Sequence, residues 1–413
     1  MSLGILIILN QRNSLLINKK IIFAITGSIS AYKSIDTIRR LKEQGAIIDV
    51  ILTSSAKMFI SPMTIQSACD VKVYTDMYDP PMSHIKLTQK TDLLVVAPAT
   101  ANTIGKFASA IADDLLSCIF LCHDKKTIMA PAMNNKMYEN SRVQRNIENL
   151  KASGVLFVGP DTGPLACGSE GKGRMSDSED IIEMIKTTLS KQDLKGHKVL
   201  ITAGPTREYI DPIRFISNRS SGKTGYALAK TALRRAAEVI LISGPVCLKN
   251  PYGIKPIFVE TSAEMCESVL RFSKDATIII MSAAVSDFAP IKKEPSKIEK
   301  RDKLTLSLSK TTDILKELSK LNNKSLKVGF AAQTGFEIKK ARQKLIEKGL
   351  DIIVLNDVTE QGCGFDVDTN RVALLSNNEE DDKELPFMSK EEMCEHLFDY
   401  IIERYNQKYR DEQ

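Results

Sequence analysis

Lys20-Ile-Ile-Phe-Ala-Ile-Thr-Gly-Ser-Ile-Ser-Ala-Tyr-Lys33 and, far downstream, His197-Lys-Val-Leu-Ile-Thr-Ala-Gly-Pro-Thr206, which runs on to Ser217-Asn-Arg-Ser-Ser-Gly-Lys-Thr-Gly225, decide how this chain is read. In each, an apolar β-branched run ends in glycine and hydroxyl residues and then turns helical. That order aims free backbone N–H groups and a helix amino end at an anion. The spacing between the two openings is that of two α/β domains, each with its own nucleotide-type cradle.

Around the first opening, apolar strands alternate with helical segments: strands at 20–26, 46–52, 92–97, 127–131 and 155–158, helices at 30–44, 57–67, near 102–122 and 140–153. Such alternation predicts a parallel sheet covered on both faces, with ligands at the carboxyl ends of its strands. Gly163 to Arg174 breaks the rhythm with four glycines and no apolar period, and is expected to be a mobile flap. A polar joint at 190–196 sets the boundary between domains of residues 1–190 and 191–413. The second half repeats the layout with strands at 198–203, 238–242, 256–259, 276–281 and 326–331 and helices at 222–236 and 262–273. Lys303 to Ser309 alternates with period two, as an antiparallel excursion would, and 389–405 reads as an amphipathic helix. The predicted fold class is therefore α/β, two Rossmann-like domains, the first a flavodoxin-like parallel sheet and the second carrying an antiparallel excursion.

With 413 residues, 43% hydrophobic and 26% charged, the composition is that of an ordinary globular protein. A net charge of +6 without a dense basic stripe argues against nucleic acid as a partner. Eight cysteines at irregular spacing, with no CxxC pair, point to a reducing cytoplasmic setting rather than a disulfide framework. Cys118, Cys122 and His123 could present metal ligands on one helix face, but the apolar residues around them favour buried thiols. Residues 2–9 are apolar yet too short to cross a bilayer and lack a signal-peptide layout, so they read as a frayed extension consistent with an upstream start codon, and no membrane association is expected.

At the first cradle Gly27-Ser28-Ile29-Ser30 lacks the third glycine of a dinucleotide fingerprint, and Thr53-Ser54-Ser55 stands where a ribose-binding carboxylate would close strand two. Hydroxyls suit a phosphate, so a mononucleotide such as FMN fits better than NAD, and a nicotinamide dehydrogenase is disfavoured. Thr100 and Asn102 add polar groups at the same edge. Ser83-His84-Ile-Lys-Leu87, Pro131-Ala-Met-Asn134 and Cys167 in the glycine-rich stretch complete a set that resembles the flavoprotein cysteine decarboxylases over about 170 residues, several motifs in order. The resemblance implies that flavin oxidises the CH₂–SH carbon to a thioaldehyde, so that CO₂ can leave into an enethiolate, and then returns the hydride. It assigns Cys167 as proton donor, Asn134 to the substrate carboxylate, His84 as base or orienting group, and Gly27, Ser28, Ser30, Thr53, Thr100 and Asn102 to the cofactor. A flavin-binding regulatory subunit of the same fold is the non-catalytic alternative; relatives of that kind carry long acidic tails, which this chain lacks.

At the second cradle Ser220-Ser-Gly-Lys-Thr224 has the look of a P-loop, but Ser217 replaces the first required glycine, which makes that the weaker reading. The stretch is similar to the Ser-Asn-x-Ser-Ser-Gly signature of phosphopantothenate–cysteine ligases, and the similarity runs to the C-terminal end. It implies activation of 4′-phosphopantothenate by CTP as an acyl-cytidylate, attack by the amine of L-cysteine, and Mg²⁺ held through triphosphate oxygens. Asn218 is assigned to the acyl intermediate and Lys297 to charge on the nucleotide phosphate. Met281, Ser282, Ala283, Asp287, Thr312, Asp313, Ile314, Leu315, Phe330, Lys344 and Lys348 are assigned to the nucleotide, the two lysines sharing a helix face. Three departures leave CTP against ATP open: Glu299 in a Lys-Ile-Lys-Lys run, Thr312 in an Asn-Pro-Asp run, and Gln333 in place of glutamate. The resemblance also implies flavoprotein trimers and ligase dimers in a homo-oligomer, a dodecamer.

Overall fold

The computed structural model describes residues 15–78, 81–164, 168, 170–300, 302–321, 324–364 and 366–409. They fall into two compact units divided between Ser190 and Lys191.

In the first unit β1 (Lys20–Ile25), α1 (Lys33–Glu43), β2 (Ile47–Leu52), α2 (Pro62–Cys69), β3 (Lys72–Tyr74), α3 (Ser83–Thr88), β4 (Leu93–Ala99), α4 (Ala101–Ala108), α5 (Leu115–Cys122), β5 (Lys126–Pro131), α6 (Asn135–Tyr138), α7 (Ser141–Ala152) and β6 (Leu156–Phe157) follow one another. The hairpin β7 (Asp161–Pro164) and β8 (Glu170–Arg174) and helix α8 (Ser178–Leu189) close the unit. The sheet order is β3-β2-β1-β4-β5-β6, parallel throughout. Because side chains alternate across a strand, Ile21, Phe23 and Ile25 pack under α1 and α8, while Ile22 and Ala24 pack with α4, α5 and α7 on the other face. Both faces are covered, which is why β4 is buried along its whole length.

The second unit contains β9 (Lys198–Ala203), β10 (Arg207–Tyr209), β11 (Phe215–Ser217), α9 (Lys223–Arg234), β12 (Glu238–Ser243), β13 (Ile257–Phe258), α10 (Ser262–Phe272), β14 (Ile278–Met281), β15 (Phe288–Pro290), β16 (Leu308–Lys310), α11 (Ile314–Ser319), β17 (Leu326–Gln333), α12 (Ile338–Glu347), β18 (Ile352–Asp357), β19 (Thr369–Ser376), β20 (Lys383–Ser389) and α13 (Lys390–Lys408). Its sheet runs β13-β12-β9-β14-β17-β18-β19-β20, parallel as far as β18 and antiparallel beyond. Helices α9 and α13 cover one face, α10, α11 and α12 the other. Arg235, 1% exposed, ties this unit's amino-terminal segment to α13 through Asp193 at 2.5 Å and Asp399 at 2.8 Å.

The expected excursion is present in reduced form. Only Leu308–Lys310 of the alternating stretch is a strand, paired with Phe288–Pro290, while the larger antiparallel element is β18 to β20. The glycine-rich stretch is also not a loose flap along its length. Its flanks form the β7–β8 hairpin, and Gly173 lies against the Pro131–Asn134 loop, where Met133 N–H donates to Gly173 O at 3.0 Å. A Cβ at Gly173 would sit 2.2 Å from Met133 O, so the glycine serves close backbone approach. Cys122 is exposed and Cys118 half-buried, against the expectation of buried thiols, because α5 ends at Cys122 and turns toward solvent. Residues 2–9 lie outside the described residues.

Candidate functional sites

In both units the strand order reverses beside the opening strand, between β1 and β4 and between β9 and β14. The loops leaving those strands diverge there and open a crevice. Each crevice is a cavity, of about 960 Å³ in the first unit and about 850 Å³ in the second.

The first cavity is lined by Gly27, Ser28, Ser30, Thr53, Thr100, Asn102 and Asn134, which brings together the expected cofactor residues and the amide of the Pro131–Asn134 turn. Thr26 stitches the two diverging loops: its Oγ1 donates to Pro98 O at 2.7 Å and accepts from Thr100 N–H at 3.2 Å. Ser28 Oγ accepts from Ser30 N–H, Thr100 Oγ1 caps α4 through Thr103 N–H, and Asn134 Oδ1 accepts from Lys136 N–H at 2.9 Å. A Cβ at Gly27 would lie 2.5 Å from Ser55 Cβ, so only glycine lets the β1 loop pass the β2 loop. Pro164, Gly173 and Arg174 bring the hairpin to the cavity wall. Cys167 itself lies outside the described residues.

His84 does not line this cavity. It sits in α3, with a buried Nδ1 that finds no hydrogen-bond partner among the described residues. The wall instead contains charged groups that sequence reasoning missed. Lys106 pairs with Asp113 at 2.7 Å and Asp114 at 2.9 Å, and Lys33 pairs with Asp177 at 3.4 Å. Burial pushes the Asp114 and Asp177 carboxyls up, but Lys106 with Ser117, and Lys33 with Arg174, outweigh it and hold both below the usual carboxylate range. Asp113-Asp114 just ahead of an apolar helix was the one signal in the sequence that could have marked them.

The second cavity gathers Asn218, Met281, Ser282, Ala283, Asp287, Thr312, Asp313, Ile314, Leu315, Phe330 and Lys348. Its floor is the amino end of α9. Gly222 takes a left-handed conformation there, φ +77°, and provides no side-chain cap, so first-turn N–H groups face the cavity. A Cβ at Gly225 would fall 2.5 Å from Ala203 Cβ, which fixes α9 directly on β9. Asn218 Nδ2 donates to Ala284 O at 3.3 Å and Val285 O at 3.0 Å, tying its loop to the one after β14. Asp313 Oδ1 caps α11 and its other oxygen lies 3.5 Å from Lys348 Nζ.

Lys344 and Lys348 are separated rather than paired. Helix α12 stops at Glu347, so Lys348 turns into the cavity from the C-cap while Lys344 stays exposed on the helix, outside the lining of this cavity. Lys297 is exposed and outside the lining as well. Its segment is nevertheless fixed: buried Asp211 accepts from Ile213, Arg214 and Ile298 N–H groups, and Arg214 Nη2 donates to Ile298 O at 2.8 Å. Burial would raise the Asp211 carboxyl, but those donors and the Arg214 guanidinium keep it low. Arg219, Lys223, Asn356, Asn370 and Lys390 also line the cavity, and nothing in local pattern announced the last three, which arrive from β18, β19 and α13.

Among the described residues no group of histidine, cysteine and carboxylate side chains is arranged to hold a metal ion, and no helix is long and apolar enough to cross a membrane.

Residues 9–190 match the family described as Flavoprotein, and residues 194–405 match the DNA/pantothenate metabolism flavoprotein C-terminal domain. The coenzyme A biosynthesis bifunctional protein CoaBC of Bacillus subtilis (strain 168) is 44% identical over 382 residues, 90% of this chain and 94% of its own length. The chain belongs to the CoaBC family. The CoaBC protein of Escherichia coli (strain K12) is 41% identical over 96% of this chain and 99% of its own length. Among solved structures, the C-terminal domain of a CoaBC protein is 36% identical, covering 52% of this chain and 100% of that one, with a TM-score of 0.46. Membership of the CoaBC family thus spans both units, a flavoprotein unit followed by a pantothenate-metabolism unit.

Proposed function

We propose that the C-terminal unit joins 4′-phosphopantothenate to L-cysteine at the expense of CTP, and that the N-terminal unit decarboxylates the product with FMN to 4′-phosphopantetheine. The observation that carries it is the grouping of motif residues, distant in sequence, around one cavity in each unit at the reversal of strand order.

In the ligase unit the α9 amino end and the backbone around Ser282 and Ala283 receive phosphate groups, and Asn218 orients the reacting carboxylate. The carboxylate oxygen attacks the α-phosphorus and pyrophosphate leaves. The cysteine amine then attacks the acyl carbon, CMP leaves, and an amide remains. Lys297, on the segment held by Asp211, neutralises charge on the α-phosphate. Mg²⁺ would enter with the triphosphate, held through its phosphate oxygens.

The first cavity fits FMN in size, within the ~300–1,000 Å³ range of ligand sites, and in chemistry, with Ser28, Ser30, Thr53 and Thr100 for the phosphate end. Bound flavin supplies a two-electron acceptor that later returns the hydride. Asn134 holds the substrate carboxylate, Cys167 delivers the proton that completes the product, and His84 serves the initial oxidation. Because His84 is not in the cavity wall, that last role needs either a shift of α3 or a neighbouring copy in the proposed dodecamer of flavoprotein trimers and ligase dimers; gel filtration with light scattering measures that assembly.

The test is purified Cys167→Ser protein given phosphopantothenate, cysteine and CTP. Release of CO₂ that yields the decarboxylated enethiol in place of phosphopantetheine, with FMN still bound, is expected; full conversion to phosphopantetheine would overturn the assignment of Cys167.

A further inference from the structure

The amino end of α9 is surrounded by three cations. Arg219 comes from the loop leading into the helix, Lys223 is the helix's first residue, and Lys390 comes from the first turn of α13. Two of the three already carry an anion from the chain itself. Arg219 donates from Nε at 3.2 Å and Nη2 at 2.8 Å to Asp366 Oδ2, and Lys223 Nζ donates to Asp368 Oδ1 at 2.7 Å and to Asp366 O at 3.0 Å. Lys390 is only 5% exposed and donates to Gly364 O at 2.9 Å and Val367 O at 2.6 Å, the backbone on either side of Asp366. Burial, and next the Lys223 charge, hold its ammonium below the ordinary lysine range.

Burying a lysine for two carbonyl contacts is costly unless what it fixes matters. What it fixes here is the backbone that bears the two carboxylates. Their side chains are 56% and 85% exposed, so each can turn into water once its cation finds a better partner. A monoanion offers Arg219 and Lys223 nothing that a carboxylate does not already give. A phosphate dianion offers more charge and oxygens for both cations and the helix N–H groups at once.

We propose that Asp366 and Asp368 are affinity-setting residues of the second cavity, counter-anions held on Arg219 and Lys223 through the positioning residue Lys390, which a phosphate monoester displaces and a carboxylate or other monoanion does not. The proposal deepens the ligase reading and rests on it. The carboxylates raise the KM for the phosphorylated substrate, which must displace them, and leave that for pantothenate, which presents no phosphate to these cations, nearly unchanged. Discrimination between phosphorylated and unphosphorylated pantothenate is thereby held below what the bare cations would give.

The experiment measures ligation by the full chain with phosphopantothenate and with pantothenate, each over a range of NaCl, in wild type, Asp366→Asn, Asp368→Asn and the double variant. The KM for phosphopantothenate is expected to fall about fivefold in the double variant while that for pantothenate changes little, so that the ratio between them widens, with a steeper salt dependence for phosphopantothenate. An unchanged or narrowed ratio, or a KM for phosphopantothenate that rises, overturns the proposal. Asp368→Asn changes an 85% exposed side chain, so its KM ratio remains readable should the double variant fail to fold. Lys390→Gln is expected to widen the ratio as well, with Lys390→Arg restoring it. Absence of any ligation by wild-type protein would instead refute the ligase reading itself and is a separate result.

Discussion

The two cavities share a scaffold and differ in what fills it. Both lie where a sheet reverses its strand order beside the opening strand, and both need a glycine where two backbones pass closely, Gly27 against Ser55 in one and Gly225 against Ala203 in the other. In the first unit the crevice is edged by hydroxyls, closed by a hairpin docked through Gly173, and its nearby cations are held by Asp113, Asp114 and Asp177. In the second the helix amino end is bare of side-chain caps, and Arg219 and Lys223 beside it share the cavity wall with Lys348 and Lys390 from other segments. The difference suits the two proposed reactions, one with a cofactor that stays and one with phosphorylated substrates that are consumed. One backbone arrangement supports either, and the side chains at the strand ends decide which.

The strongest way to break this comparison is to disable one cavity and read the other. Lys297→Gln or Asn218→Asp is expected to lower ligation roughly 10²–10³-fold, the effect of removing a group that meets developing charge, while bound flavin is unchanged. Loss of flavin in either variant would mean the two units are not independent. Next in size is Gly173→Ala. A methyl group 2.2 Å from Met133 O forces the hairpin away, and overpacking of that kind costs about 1–3 kcal/mol. Flavin affinity measured by titration of apoprotein is expected to drop about tenfold or more with ligation retained, and Gly225→Ala should do the converse.

Smaller still is the split between the two lysines. Lys348→Ala, which removes the cation beside Asp313, should raise the nucleotide KM about fivefold, and Lys344→Ala should leave it nearly untouched. Equal effects would restore the paired grip expected from their spacing.

The smallest concerns stability in acid. Burial raises the Asp399 carboxyl, but Lys191 and Arg235 outweigh it and depress its folded-state pKa. Its contribution is therefore present above the unfolded carboxylate pKa and is lost as pH falls through the lower folded value. Asp399→Asn should flatten the fall of the unfolding midpoint of the second unit below pH ~4 and leave the flavoprotein unit's acid response, to which the depressed Asp114 and Asp177 carboxyls contribute, as it was.

The opening strands were legible because a β-branched run followed by glycine and a helix has few alternative folds. Strand β20 was not: Pro386 and charged residues mark it as an exposed edge, and edge strands lack the apolar run by which strands are read. Strand β3 and helix α3 were too short to leave a period. Residues on the loops after β1, β4, β9 and β14 were found because they adjoin a motif in sequence. Lys390 and Asn356 were not, since only the closing of the sheet brings α13 and β18 to the cavity. The lysine pair was misjudged for a local reason: a helix face was extended one residue past the helix end at Glu347, onto the C-cap Lys348 ahead of Gly349 at φ +59°.

One measurement bears most directly on a recycled cofactor beside a consumed nucleotide. Purified protein is incubated with phosphopantothenate, cysteine and either CTP or ATP, with pyrophosphate, CO₂ and the flavin absorbance followed together. Pyrophosphate and CO₂ released one for one with CTP over many turnovers, with no net change in flavin, is the expected result. CO₂ release in the absence of nucleotide, or flavin reduced in proportion to CO₂, would contradict it.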